Sequence, residues 1–546
     1  MNPVHLRIAT PDGRLEWDVA ATESELPLTT VLARHGVPLN TRCGGRGLCS
    51  GCEIEVRAGA MRSLGPAAAD ANASGLAAPG RLRACQRRLP ATGTTEIAVP
   101  ARSLLRHEPA VVAEFRIGIP WARDPLDAGA RYGAAVDVGT TTVALLLCDL
   151  AAGRVLAEAS GFNAQIRHGE DVLTRIQFCA TAPGALAELQ RAVAAGTIQP
   201  LLAEAARRAG VPVGEIGVMA VAGNTTMQHL LAGVDPTPLG THPFRAVFLE
   251  HRRYAPHELG LEFGGAGAAV HLLPGPAAYV GADLAAGIVA TGMLYDDGPA
   301  LLVDVGTNGE IVAKLGDRLL GCATAAGPAF EGAGLSCGVR GVRGAIERVR
   351  LQAEPLAAEL DVIGGGRPIG LCGSAYVDLL WESRRLGFVG GSGRFTDSFL
   401  AAAGEAIAAD EWGRRFQIHA RGATGPIWVS EGDIARLLQA KAAIAAGITT
   451  LLGLLGTAPA QVQRVYLAGG FGMHLSLPHA IGCGLLPGFA AEQITVVGNT
   501  SLGGAFLALN DRSLLEEMKV ACGRMETVEL NLQPGFEDAY IDHLSL

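Results

Sequence analysis

The sequence predicts an α/β protein: a small α+β layer of the β-grasp kind, followed by a large part built from two related halves. Three observations carry this. Period-two alternation runs through the first hundred residues, around a glycine-rich loop with three cysteines inside ten positions. From Gly133 onward, apolar strands alternate with helical stretches. One strand–turn–strand design then occurs twice, its aspartates, Asp137 and Asp304, 167 positions apart. We expect residues 1–100 as one unit, 101–132 as a linker, 133–300 as the first half and 301–546 as the second.

The elements follow in order. Val4-His5-Leu6-Arg7-Ile8 and Arg14-Leu15-Glu16-Trp17-Asp18-Val19 alternate about Pro11-Asp12-Gly13, as a β-hairpin does. Leu28 to His35 reads as a short helix, with Pro27 suited to its first turn and Gly36 as its stop. Glu53-Ile54-Glu55-Val56 is a further strand, and Glu96-Ile97-Ala98-Val99-Pro100 closes the layer. Between them, Ala67 to Gly80 is expected to be helical in part. Ser103 to Tyr132, with Pro109, Pro120 and Pro125, reads as a linker with a packing role. Ala135-Val136-Asp137-Val138 then leads through Gly139-Thr140-Thr141-Thr142 into Val143-Ala144-Leu145-Leu146. Leu301-Leu302-Val303-Asp304-Val305 leads through Gly306-Thr307-Asn308-Gly309 into Glu310-Ile311-Val312. A late apolar strand, Val465-Tyr466-Leu467-Ala468, ends at Gly469-Gly470-Phe471-Gly472.

Composition removes several classes. With 49% hydrophobic and 18% charged residues, the chain has ample core and is not disordered. The 73 glycines follow no three-residue period, which excludes collagen. A net charge of −9 without a long basic run argues against nucleic acid as a partner. The polar, alternating start and the lack of a run of about 18 apolar residues predict a cytoplasmic protein with no membrane partner.

Cys43, Cys49, Cys52 and Cys85 are spaced C-x5-C-x2-C, with 32 residues before the fourth. A tight glycine loop lets thiolates converge while backbone N–H groups face bridging sulfides, which suits an iron–sulfur cluster. A structural zinc site is the alternative, although zinc loops usually repeat C-x2-C. The other cysteines are scattered and read as buried thiols. Residues 1–100 resemble a [2Fe-2S] ferredoxin domain with the adrenodoxin-like spacing. The resemblance implies one-electron transfer by a [2Fe-2S] cluster on these four cysteines.

Each Asp-x-Gly-Thr turn suits a phosphate. An Asp at a strand end holds Mg²⁺ through water or orients an attacking water, and the following Gly and Thr offer N–H and hydroxyl donors. Two such hairpins face to face would clamp a polyphosphate. Gly469 to Gly472, without obstructing side chains, suits a base or ribose, or simply ends a strand. Together these motifs resemble the superfamily of acetate and sugar kinases, heat-shock ATPases and actin (ASKHA). The resemblance implies Asp137, Gly139, Thr140, Thr141 and Thr142 as the first phosphate motif. Asp304, Gly306, Thr307, Asn308, Gly309 and Glu310 would form the second, and Gly469, Gly470 and Gly472 the adenosine motif. Asp137, Asp304 and Glu310 are the catalytic candidates. Asn224 and Gly327 are further candidates for cleft or partner contact, ATP and Mg²⁺ being the expected ligands. Ser501-Leu502-Gly503-Gly504-Ala505 is similar to a connecting helix at a hinge. Lys441 is either a charge near the adenosine or an ordinary snorkelling lysine.

A ferredoxin-like domain ahead of an ASKHA ATPase resembles the reductive activators of corrinoid proteins. The likeness extends to Ala222-Gly223-Asn224-Thr225-Thr226-Met227, Gly281-Ala282-Asp283, Thr324 to Gly332 and Cys372-Gly373-Ser374. It implies ATP-dependent, one-electron reduction of an inactive Co(II) corrinoid protein to Co(I). The implied partners are that corrinoid protein, an external electron donor such as a reductase or ferredoxin, and a second copy in a homodimer. Two other functions fit the motifs: an ATP-switched electron donor to a dehydratase-type enzyme, and a binding scaffold with a structural cluster.

Overall fold

The computed structural model describes residues 4–11, 13–39, 41, 45, 47, 51–64, 76–77, 80–100, 103–104, 114–169, 171–306, 308–410, 413–423 and 425–546. Cys43, Cys49 and Thr307 lie outside them, as does most of the stretch expected to be partly helical between Ala67 and Gly80.

The N-terminal layer is a five-stranded sheet in the order Gly13–Val19, Val4–Thr10, Gly93–Ala98, Glu53–Ala58, Gly80–Arg83. Its central pair, Val4–Thr10 and Gly93–Ala98, is parallel, and the other neighbours are antiparallel. Val4, Leu6 and Ile8 alternate onto the face that meets Leu28, Val31 and Leu32 of the helix Leu28–Arg34. This is the expected β-grasp arrangement.

Two six-stranded sheets follow, and they repeat one topology. In the first, Tyr132–Val138 pairs antiparallel with Thr142–Asp149, which pairs with Arg154–Phe162. On its other side Tyr132–Val138 runs parallel to Ile216–Gly223, and that strand to Ala269–Leu272. In the second, Ala300–Val305 pairs with Gly309–Leu315 and then Arg318–Thr324, and runs parallel to Arg464–Ala468 and Ile494–Gly498. Each sheet adds one edge strand of its own, Arg252–Tyr254 and Met525–Thr527.

Period-two alternation decides where each aspartate points. Ala134, Val136 and Val138 belong to the outer core with Leu189, Ile198 and Leu202, so Ala135 and Asp137 take the opposite face. Leu301, Val303 and Val305 pack outward against Leu437, Ile444 and Ile448, so Leu302 and Asp304 face inward. Two helices fill the space between the inner faces, Ala282–Thr291 and Thr500–Asn510. They cross over: Leu502, Ala505 and Leu509, late in the second half, pack on the first sheet, while Leu284 and Ile288 pack on the second. The contact is close because Gly504 lies against the Ala286 backbone, where an added Cβ would meet the carbonyl oxygen at 2.3 Å.

The segment after residue 113 packs on this helix pair. Arg116 and Gly118 donate backbone hydrogen bonds to Val497 (3.0 Å) and Ala290 (2.8 Å), and Phe115 and Trp121 rest on the Phe506 ring. A long helix spans Glu431–Leu454, started by a reciprocal Ser430–Asp433 cap. It is long and apolar enough to cross a membrane, yet 72% of its most apolar window is buried in the second lobe.

Candidate functional site

Between the lobes lies a cleft of about 360 Å³. Both hairpin turns line it. The first contributes Asp137, Gly139, Thr140, Thr141 and Thr142; the second contributes Asp304, Gly306, Asn308 and Glu310. Asn224, Gly469 and Gly470 also line it. Gly309, Gly327 and Gly472 do not. Gly309 turns toward Thr324 and Ile444, Gly472 packs beside Leu467, and Gly327 precedes the short helical turn Pro328–Glu331.

The first turn is held from behind by a buried polar scaffold. Asn163 Nδ2 donates to the Gly139 carbonyl (2.9 Å) and the Asn163 N–H to that of Thr141 (2.9 Å). The fully buried Arg175 guanidinium donates to the Thr140 carbonyl, the Gly169 carbonyl (2.9 Å) and Gln165 Oε1 (2.9 Å). Three successive carbonyls are thus satisfied on the protein side, a firm seat for a turn that presents donors to a ligand. Asn224 serves two ends: its Oδ1 caps the helix Thr225–Leu231 through Met227 N (3.0 Å), and its Nδ2 donates to Thr140 Oγ1 (3.0 Å).

The two halves differ in charge. Asp137 accepts hydrogen bonds from Ser501 Oγ (2.7 Å) and Asn499 Nδ2 (2.9 Å), at the start of the crossing helix from the second half. Burial raises its carboxyl pKa, and these donors oppose the rise. Among the described residues Asp304 has no such donors. Burial, with Asp283 and Asp137 nearby, pushes it up to about 7. Asp283, at the start of the other crossing helix, is also raised to about 7 by burial and by Asp137. Glu310 is raised well above the usual range by burial, then by Asp283 and Asp304. These four buried carboxyl groups, among the six that line the cleft, sit together at the cost of mutual repulsion, a demand for positive charge. Among the described residues, no three His, Cys, Asp or Glu side chains converge closely enough to ligate a metal directly. Mg²⁺ commonly keeps most of its waters and is held through them and through phosphate oxygens, which suits this wider spacing.

Several cleft residues lie far from the two motifs in sequence. Asp283, Asn499 and Ser501 arrive on the crossing helices; Arg340, Glu347, Cys372, Ser374 and His474 come from the second lobe. Ser374 Oγ donates to the Glu347 carbonyl (2.9 Å), the backbone-satisfying role common for buried serines. Lys441 is at neither expected place: it is buried, and its Nζ donates to the Ser545 carbonyl (2.6 Å) at the chain's end.

In the N-terminal layer, Cys52 and Cys85 are both buried and within hydrogen-bonding reach of each other. That contact lowers the Cys85 thiol to about 6, with help from Gln86, the Gly47 backbone and Arg83, and against the effect of burial. Gln86 Nε2 also donates to the Gly45 carbonyl (2.8 Å), and Arg83 Nη1 to that of Gly47 (2.6 Å), so the loop is clasped to the turn that carries Cys85. A paired, thiolate-prone set beneath a clasped glycine loop fits an iron–sulfur cluster.

Duplicated five-strand cores around a carboxylate-lined cleft define a protein of the ASKHA class. The comparisons narrow the class to one family. The model of the RACo C-terminal domain, described as the ASKHA domain, matches residues 298–546, and that of the RACo middle region matches 132–296. The corrinoid activation enzyme RamQ of Eubacterium limosum is 31% identical over 420 residues, 75% of this chain and 69% of RamQ. The Co(II) methylated amine-specific corrinoid protein reductase of Methanosarcina barkeri is 26% identical over 260 residues, 44% of each chain. A solved structure of a reductive activator for corrinoid, iron-sulfur protein aligns over 99% of this chain and 98% of its own, with a TM-score of 0.70 and 28% identity. The chain belongs to the RACo family of reductive activators of corrinoid proteins.

Proposed function

We propose that the protein returns a partner's corrinoid cobalt from Co(II) to Co(I), delivering one electron from a [2Fe-2S] cluster and drawing the driving force from ATP and Mg²⁺ in the interlobe cleft. The observation that carries the reading is the presence, in one chain, of the Cys52–Cys85 pair and the acidic cleft between duplicated hairpins. The names of the relatives, corrinoid activation and Co(II) corrinoid protein reduction, support it.

In this reading Cys43, Cys49, Cys52 and Cys85 hold the cluster, which when bound supplies a one-electron carrier. The turn amides of Thr140, Thr141 and Asn308 and the two threonine hydroxyls receive phosphate oxygens, and Thr307 is a further phosphate contact in this reading. Asp137, Asp304, Glu310 and Asp283 hold the hydrated cation and orient water. Gly469 and Gly470 leave room for the adenosine. Residues from both lobes touch one ligand, so nucleotide occupancy biases the angle between the lobes, and partner affinity follows that angle. An external reductase or ferredoxin recharges the cluster. The working form is a cytoplasmic homodimer.

The test mixes the reconstituted protein, a reductant and MgATP with a Co(II) corrinoid protein from the same cell. Growth of the Co(I) band above an ATP-free control supports the reading. No growth with any corrinoid partner from that cell overturns it.

A further inference from the structure

A second concavity, about 580 Å³, lies where the N-terminal layer meets the second lobe, and four arginines line it. Arg14 and Arg57 come from the sheet of the N-terminal layer; Arg343 and Arg367 come from the second lobe. The chain as a whole is acidic, at −9. Elsewhere its arginines are commonly matched to carboxylates, as in Arg62 and Arg88 with Glu25, or Arg512 with Asp124. Here the matching stops. Among the described residues Arg14, Arg343 and Arg367 have no ion pair, and Arg57 has only a long contact of 3.8 Å with its strand neighbour Glu55. Backbone at Gly344 and Gly365 completes the wall, and at Gly365 even a Cβ would meet nothing within 4 Å.

We propose that this hollow binds a small polyvalent oxyanion, a molecule bearing two or more phosphate or carboxylate groups. Arginines on two walls of one concavity fit such a ligand, because each guanidinium fork can take two oxygens at once. A protein partner would more naturally meet a convex ridge or a flat patch. The location gives the site a consequence. Arg57 sits on the strand that begins directly after Cys52, and Arg343 lies three residues from Arg340, which lines the interlobe cleft. An anion held by both walls ties the cysteine-bearing layer to the cleft-bearing lobe.

The test is calorimetry of the holoprotein with pyrophosphate and with citrate, at constant ionic strength set by chloride. Saturable binding of either is expected, weakened about tenfold by Arg14→Ala and by Arg343→Ala, one from each wall. All four arginine side chains are exposed, so these variants should fold. Hydrogen exchange should slow on both Glu53–Ala58 and residues 340–344 when pyrophosphate binds. Equal affinity in wild type and both variants would place the anion in the interlobe cleft and overturn the proposal. So would the absence of saturable binding at millimolar anion, or arginine-dependent binding of an acidic electron-donor protein that neither anion displaces. None of these outcomes bears on ATP-dependent cobalt reduction, which is read separately.

Discussion

Asp304 and Glu310 are direct cross-strand partners in the second hairpin, whereas the partner of Asp137 in the first is Ala144. The duplication is broken at this pair, which sets two buried carboxyl groups side by side in the second hairpin. The consequence is a pH dependence with a definite sign. Asp304 titrates at about 7 in the folded chain against an ordinary 3.8, so the folded state holds more protons between those values. Stability of the ligand-free protein therefore falls as pH rises through that window. Mg²⁺ competes with the same protons, so the stabilisation given by Mg-nucleotide grows with pH. Thermal scans at about pH 6 and about pH 8, with and without MgADP, should give the larger ligand-induced rise at the higher pH. Asp304→Asn should raise the ligand-free Tm at the higher pH and remove most of the ligand response. Equal responses at both pH values would contradict this account.

Arg175 tests whether the first turn needs its rear support. A lysine there cannot reproduce the planar fork that reaches the Thr140 and Gly169 carbonyls together. Leaving one buried carbonyl unpaired costs about 1–3 kcal/mol. Arg175→Lys should therefore weaken nucleotide binding about tenfold while the visible spectrum of the reconstituted cluster stays unchanged. Unchanged nucleotide affinity in calorimetry would mean that the turn holds its shape without the guanidinium.

Both hairpins were legible because their information is local: an aspartate and a glycine turn between strands whose apolar alternation is unmistakable. The strand ending at Gly469 was legible for the same reason. Asn224 is both helix cap and cleft neighbour, since one amide can serve both with its two ends, and only the second role was expected. The supporting groups were harder. Nothing near Asn163 or Arg175 announces a role at the first turn, because the turn carbonyls they hold lie 22–35 positions upstream, at Thr141 and Thr140 among them. Asn499 and Ser501 reach Asp137 across more than 360 residues, by a crossing of helices that only packing decides. The small residues at Gly503 and Gly504 were the available signal that this helix is closely packed. Gly309 was misplaced by the same local logic: in a three-residue turn it already belongs to the strand and faces away from the cleft.

Gln86 offers a test of the cysteine site that leaves all four thiols in place. Its amide donates to the Gly45 carbonyl and, more weakly, toward Cys85 Sγ at 3.6 Å. Hydrogen bonds to cluster sulfurs stabilise the reduced, more negative state, and exposure governs lifetime. Gln86→Ala should lower the midpoint potential and speed bleaching of the reconstituted cluster in air, followed by visible absorbance. Cys49→Ser should go further, ending Co(II) reduction while ATP hydrolysis persists. Loss of hydrolysis as well would make the cluster a structural element.

Gly504 addresses the crossing of the two central helices. On this helix, Gly→Ala would gain about 1 kcal/mol of propensity if space allowed. Space does not allow it: a Cβ would meet the Ala286 carbonyl oxygen at 2.3 Å and its carbon atoms at 2.5 Å, all of them backbone. Backbone cannot rotate aside, so the helices must part, and overpacking of this kind costs about 1–3 kcal/mol. Parting them also displaces Asp283 and Ser501, which begin the two helices and face the cleft. Gly504→Ala should therefore lower the denaturation midpoint and weaken nucleotide binding together. Gly523→Ala, on the adjoining helix Arg512–Arg524 where the new Cβ meets nothing within 4 Å, supplies the contrast. That variant should leave nucleotide affinity unchanged and stabilise slightly through propensity alone. If Gly504→Ala destabilised the fold yet left nucleotide affinity intact, the helix pair would be a packing element and not the part that sets the cleft.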